Sequence, residues 1–69
     1  EDPRLRFNAG AAAYRNQDLT NAAAWFESVL GAPDLELQQR AYYNLGNTRF
    51  REGERAQDAQ QRMRAWQES

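Results

Sequence analysis

Apolar residues recur along this chain every three or four positions, the spacing of one face of an α-helix. Phe7, Ala11 and Tyr14 form one such set and Ala22, Phe26 and Leu30 a second. Tyr43 and Phe50 belong to a third, and Ala59, Met63 and Trp66 to a fourth. The polar and helix-breaking residues divide the sets. Asp2-Pro3 places a capping carboxylate ahead of a proline at the first helical position, so a first helix is predicted over Pro3 to Arg15. Asn16-Gln17-Asp18 is a short polar turn, and a second helix is predicted from Leu19 to Leu30. Gly31-Ala32-Pro33 stops that helix, and Asp34 caps a third over Leu35 to Glu52. Gly53 reads as the next stop. Asp58 with Gln61 three residues on has the form of a capping box, which opens a fourth helix running to Ser69. Short connections make neighbouring helices antiparallel. The expected fold is all-α, two helical hairpins in tandem, over residues 1–34 and 35–69, with an extended loop near 54–58 in the second.

The two hairpins resemble each other in sequence. Arg4, Phe7, Asn8, Gly10, Tyr14 and Arg15 align with Arg40, Tyr43, Asn44, Gly46, Phe50 and Arg51 at a constant offset of 36. Ala24-Trp25-Phe26-Glu27-Ser28 returns as Ala65-Trp66-Gln67-Glu68-Ser69 at an offset of 41. The larger offset places the extra residues in the polar stretch Glu54–Gln57. Two helices approach closely only where one surface is small, and Ala9, Gly10 and Ala13 give the first helix such a surface. Gly46 repeats it. A glycine inside a helix costs about 0.5–1 kcal/mol relative to alanine, so both are expected to serve close packing. Replacing Gly46 by Leu is then expected to disorder the second hairpin.

Tyr42-x-x-Leu45-Gly46, the pair Ala22 and Phe26, and a period in the mid-thirties resemble the tetratricopeptide repeat. The segment Ala41-Tyr42-Tyr43-Asn44-Leu45-Gly46-Asn47 carries most of the likeness. It is most similar to the repeats of bacterial aerotolerance-type proteins that accompany von Willebrand-type domains. Arg49 stands where that signature has Tyr, with Phe50 beside it. The resemblance implies an α-solenoid fragment of about two repeats, acting as a scaffold for protein–protein interaction. It also implies a bacterial periplasmic or membrane-associated setting. In such stacks the first helices of successive hairpins line a concave groove. By this resemblance the groove is lined by Arg4, Phe7, Ala11, Tyr14 and Arg15, and by Arg40, Tyr43, Asn47, Phe50 and Arg51. Rings, an amide and guanidinium forks suit a peptide or partner helix bearing carboxylates.

Composition narrows the chemistry. Twelve of the 69 residues are Ala and seven are Gln; Ile is absent, and only Val29, Thr20 and Thr48 are β-branched. That balance favours helix over sheet. The chain has no His, no Cys and no Lys, and all nine basic residues are Arg. The common nucleophile–base triads, Schiff-base chemistry and His/Cys zinc sites are therefore not built from this chain. The expectation is a non-enzyme with no cofactor and no metal. Net charge is −1, which supplies no general attraction for nucleic acid or an anionic membrane, and no apolar run spans a bilayer. A nucleic-acid-binding helical repeat is the competing function, because Arg beside aromatic rings also suits base stacking. Cytoplasm and periplasm both accommodate a chain without Cys. It begins at Glu1 rather than Met, as expected of a processed or excised piece. Its fourth helix reads as cut short. A hairpin repeat buries its apolar face only against neighbours. The stripe Ala59, Met63 and Trp66 is thus expected to contact a further repeat or a second copy, with self-association of the isolated chain.

Overall fold

The computed structural model describes residues 2–69; Glu1, the first residue of the expected first hairpin, lies outside the described residues. The described residues are all-α and form three helices: α1 over Pro3–Arg15, α2 over Leu19–Glu27 and α3 over Leu35–Glu68. The starts are where the aspartates place them. Asp2 Oδ1 accepts from the Arg4 amide at 2.9 Å, Asp18 Oδ1 from the Asn21 amide at 3.4 Å, and Asp34 Oδ1 from the Leu37 amide at 3.3 Å. Each bond satisfies an amide that the first turn of a helix leaves without a partner.

α1 and α2 form an antiparallel hairpin closed at one point above all. A Cβ built on Gly10 would lie 2.7 Å and 2.9 Å from two carbons of the Phe26 ring. The ring fills the space that a side chain at position 10 would take. Phe7 completes the contact, its ring centroid 5.5 Å from that of Phe26 at an interplanar angle of 59°. At the open end of the hairpin Arg6 donates to the Ser28 hydroxyl and carbonyl, both at 3.2 Å.

α2 stops three residues before the expected Leu30. Val29 N–H donates to the Phe26 carbonyl, Leu30 N–H to that of Glu27, and Ala32 N–H to that of Val29. These bonds span three residues instead of four, so the chain tightens. Val29 is fully buried as a result, and Ala32 is buried with it. α3 then crosses the hairpin. Leu37 and Ala41 join Phe7, Ala22, Phe26, Val29 and Ala32 in one core, with Leu45 packed at its edge. Thr48 is also fully buried, and its hydroxyl donates to the Asn44 carbonyl at 2.7 Å, which leaves no polar atom stranded.

The second hairpin of the sequence reading does not form. Gly53 neither stops α3 nor takes a positive φ, and residues 54–58 are helical instead of a loop. Asp58 and Gln61, read as a capping box, lie inside the same helix. Two features carry the helix through. Arg51 pairs with Glu54 at i,i+3 across the glycine, at 4.0 Å, and Arg49 pairs with Glu52 at 3.7 Å in the turn just before it. The flanking Glu, Arg, Ala and Gln residues are good helix formers. α3 is 34 residues long and sets the long dimension of a molecule measuring 53 × 17 × 14 Å.

Gly46 is corrected as well. A Cβ there meets nothing within 4 Å, because no helix packs on its side of α3. The two aligned glycines therefore respond oppositely to alanine. Gly10→Ala forces the buried Phe26 ring to move and is expected to cost about 1–3 kcal/mol. Gly46→Ala is expected to stabilise by about 0.5–1 kcal/mol through helix propensity. Thermal denaturation of the two variants checks this, and a Gly10→Ala protein that melts no lower than the parent would contradict the packing described.

Candidate functional site

α1 and α3 meet along a border, and most of the residues read as groove-lining lie on or beside it. The structure divides them into three groups. Phe7 is core, since only 8% of its surface is exposed and its ring is held between Phe26 and Arg40. It does not offer a free ring to a ligand, which corrects the sequence reading. The Arg40 guanidinium carbon stands 5.0 Å from the Phe7 centroid, a cation–π contact that roofs the core at the border. Tyr14 packs against the same core from the end of α1 and is half-buried, as is Ala11.

The second group is open. Tyr43 and Phe50 are 72% and 68% exposed. They stand seven residues apart on α3, hence on one side of it, turned away from the buried Leu37, Ala41 and Thr48. Asn47 is exposed between them and the border. Arg4 is far from these rings in sequence and is drawn instead to Asp2, 3.7 Å away.

The third group forms a concavity. Near the α1–α2 turn, Tyr14, Arg15, Gln17 and Leu19 face Arg51, Glu54, Arg55, Gln57 and Asp58 across a cleft of about 510 Å³. That volume is in the range that holds small ligands or a few residues of peptide. Its geometry begins with Gln17. This residue follows the end of α1 in the left-handed region, φ 62°, where glycine is the usual occupant. Arg55 reaches from α3 to hold it there, donating to the Gln17 carbonyl at 2.9 Å and to its side-chain oxygen at 2.5 Å. The turn is thereby fixed to α3. Arg51 has Glu54 as a neighbour at 4.0 Å, while Arg15 makes no ion pair or hydrogen bond among the described residues. The result is an open cleft with three guanidinium groups, two carboxylates and a tyrosine.

Arg15, Tyr14 and Arg51 are legible as a set. Glu54, Arg55, Gln57 and Asp58 are not, because Gly53 reads as a helix stop, and Gln17 and Leu19 are not, because the wall that faces them lies beyond that stop. Arg51 and Arg55 are four residues apart, and on an unbroken helix that spacing alone puts them on one face. Among the described residues no group of three or more acidic or imidazole and thiol side chains converges as a metal site would require. No family model, curated protein or solved structure matches this chain.

The partition of the rings is testable. Phe7→Ala is expected to lose about 3–5 kcal/mol of stability, as core aromatics do. Tyr43→Ala and Phe50→Ala are expected to leave the melting temperature within about 2 °C, because neither ring is buried. Urea or thermal unfolding of the three variants decides it; equal losses would place all three rings in the core.

Proposed function

We propose that this chain is a non-catalytic protein-interaction module that takes a peptide or partner helix carrying carboxylates along the α1–α3 border. The carrying observation is the cleft at the α1–α2 turn, where Arg15, Arg51 and Arg55 line one concavity with Tyr14. Arg55 is committed to Gln17, so the groups for a ligand carboxylate are Arg15 and Arg51, whose contact with Glu54 is long at 4.0 Å. A guanidinium accepts a carboxylate through two parallel N–H bonds, which gives direction as well as affinity. Tyr43 and Phe50 extend the surface along α3 and supply apolar contact area at low entropic cost. Asn47 offers both an amide donor and an acceptor to a ligand backbone.

The likeness of the Ala41–Asn47 segment and of α1 to first helices of tetratricopeptide repeats is in keeping with this reading, since in that family such helices face the ligand. It also sets a limit. That family's carboxylate clamp uses Lys and Asn, and this chain has Phe7 and Tyr43 at the Lys places, so the recognition proposed here rests on Arg.

The test is a binding titration with a fluorescein-labelled Glu-rich peptide at low salt. Arg15→Ala with Arg51→Ala is expected to weaken binding about tenfold or more, and binding is expected to fall as salt is raised. Unchanged affinity in the double variant removes the cleft as the site. Single-stranded RNA run in parallel is expected not to bind. Binding of RNA without binding of the peptide would assign the surface to nucleic acid.

A further inference from the structure

The buried face of α3 does not end where the hairpin ends. Leu37, Ala41, Leu45 and Thr48 mark the side of α3 that lies against α2 and the core. Continued at the same three- and four-residue spacing, that side passes Glu52 and reaches Ala56, Ala59, Met63 and Trp66. The hairpin reaches no farther than Arg55, which holds Gln17 at its tip. Every residue of α3 beyond Glu52 is exposed, Met63 at 63% and Trp66 at 82%. The same seam is thus covered over the first half of α3 and bare over the second. Ala59, Arg62, Met63, Trp66 and Gln67 line a shallow apolar groove on the bare part.

The margins of the seam select its occupant. On one side stand Arg55 and Arg62, seven residues apart; on the other stand Gln60 and Gln67, also seven apart. The only charges flanking the seam are therefore positive. Asp58 lies farther round the helix, on the side of the cleft with Tyr14 and Arg15. Arg62 makes no ion pair or hydrogen bond among the described residues. A second copy fits these margins poorly. Paired antiparallel, with Trp66 over the small Ala56 of its mate and Met63 over Ala59, two copies would bring Arg62 against Arg62. Paired parallel, they would set Arg against Gln and gain no charge pair. A helix with acidic residues on its margin gains at Arg62 and loses nothing at Gln60 or Gln67.

We propose that the free half of α3 is a docking seam for an amphipathic helix of another protein. The docked helix has an apolar stripe and carboxylates on the margin facing Arg62. Its apolar residues cover Ala59, Met63 and Trp66, and it occupies the place that α2 would reach if prolonged past Asp18. This site meets the α1–α3 border only at Arg55, which is held by Gln17, and it uses neither Arg15 nor Arg51.

The test uses two designed peptides of about 14 residues, enough for the roughly 20 Å of free helix. Both carry Leu at the seam positions; one has Glu and the other Lys on the margins. A Trp25→Phe background leaves Trp66 as the only fluorophore of its kind. The Glu peptide is expected to shift Trp66 emission to shorter wavelength and to bind at least about fivefold tighter than the Lys peptide. Arg62→Glu is expected to reverse that order. Met63→Glu is expected to abolish both signals with an unchanged melting temperature, since position 63 touches no part of the core. Equal binding of the two peptides, no binding of either, or an order unmoved by Arg62→Glu would overturn the proposal. So would concentration-dependent dimerisation of the chain alone in sedimentation equilibrium that Met63→Glu abolishes, which would give the seam to a second copy. Arg15→Ala with Arg51→Ala leaves this binding intact if the two sites are independent, so failure here and failure of the border site are read separately.

Discussion

The contact of Phe26 with Gly10 is the constraint on which the rest of the molecule depends. A ring can enter α1 only where no side chain stands, and entry brings the two helices close enough for Phe7 to lie against the same ring. That closeness fixes how far α2 can run before its end must turn. The tightened turn after Glu27 buries Val29 and presents it, with Ala32, as the floor on which Leu37 and Ala41 of α3 are laid. One missing Cβ in α1 therefore sets the position of a helix that begins 25 residues later.

Much of this was legible in the chain. Three aspartates mark three helix starts because a carboxylate ahead of an apolar run has little else to do than cap it. Gly10 was legible as a close-packing site because a glycine in a helix is otherwise a loss. Gly46 sits in an aligned position and has no such partner, since its neighbour would have been a fourth helix that α3 absorbs. Gly53 shows why local signals fail there. A single glycine weakens a helix by about 1 kcal/mol, and an ion pair across it, another just before it and the strong helix formers around it outweigh that. The Asp58–Gln61 pattern is real as a pattern and idle as a cap. Phe7 could not be separated from Tyr43 by periodicity, because the aligned positions share a spacing but not a neighbour. The cleft was half visible, its second wall hidden by the break assigned at Gly53.

The two proposed surfaces divide the labour between geometry and exposure. The cleft is concave and mixed in charge, and its guanidinium groups come from two helices, Arg15 from α1 and Arg51 and Arg55 from α3. The free half of α3 is shallow and simple, one helix with an apolar stripe and a basic margin. A short acidic peptide suits the first and an acidic-margined helix the second. Both draw on the same choice of base: every positive charge in the chain is a planar guanidinium, so the forked geometry is available wherever a carboxylate lands.

Arg55 holds the hairpin tip to α3 at the point where α3 becomes free. A helix clamped there and loaded beyond it behaves as a lever with its fulcrum at Gln17. Side load on the Trp66 end meets first the two hydrogen bonds to one left-handed residue, and then the Arg49–Glu27 ion pair at 2.8 Å and the core. The tip is thus the place where a mechanical disturbance arriving along α3 is felt before any part of the apolar interior moves.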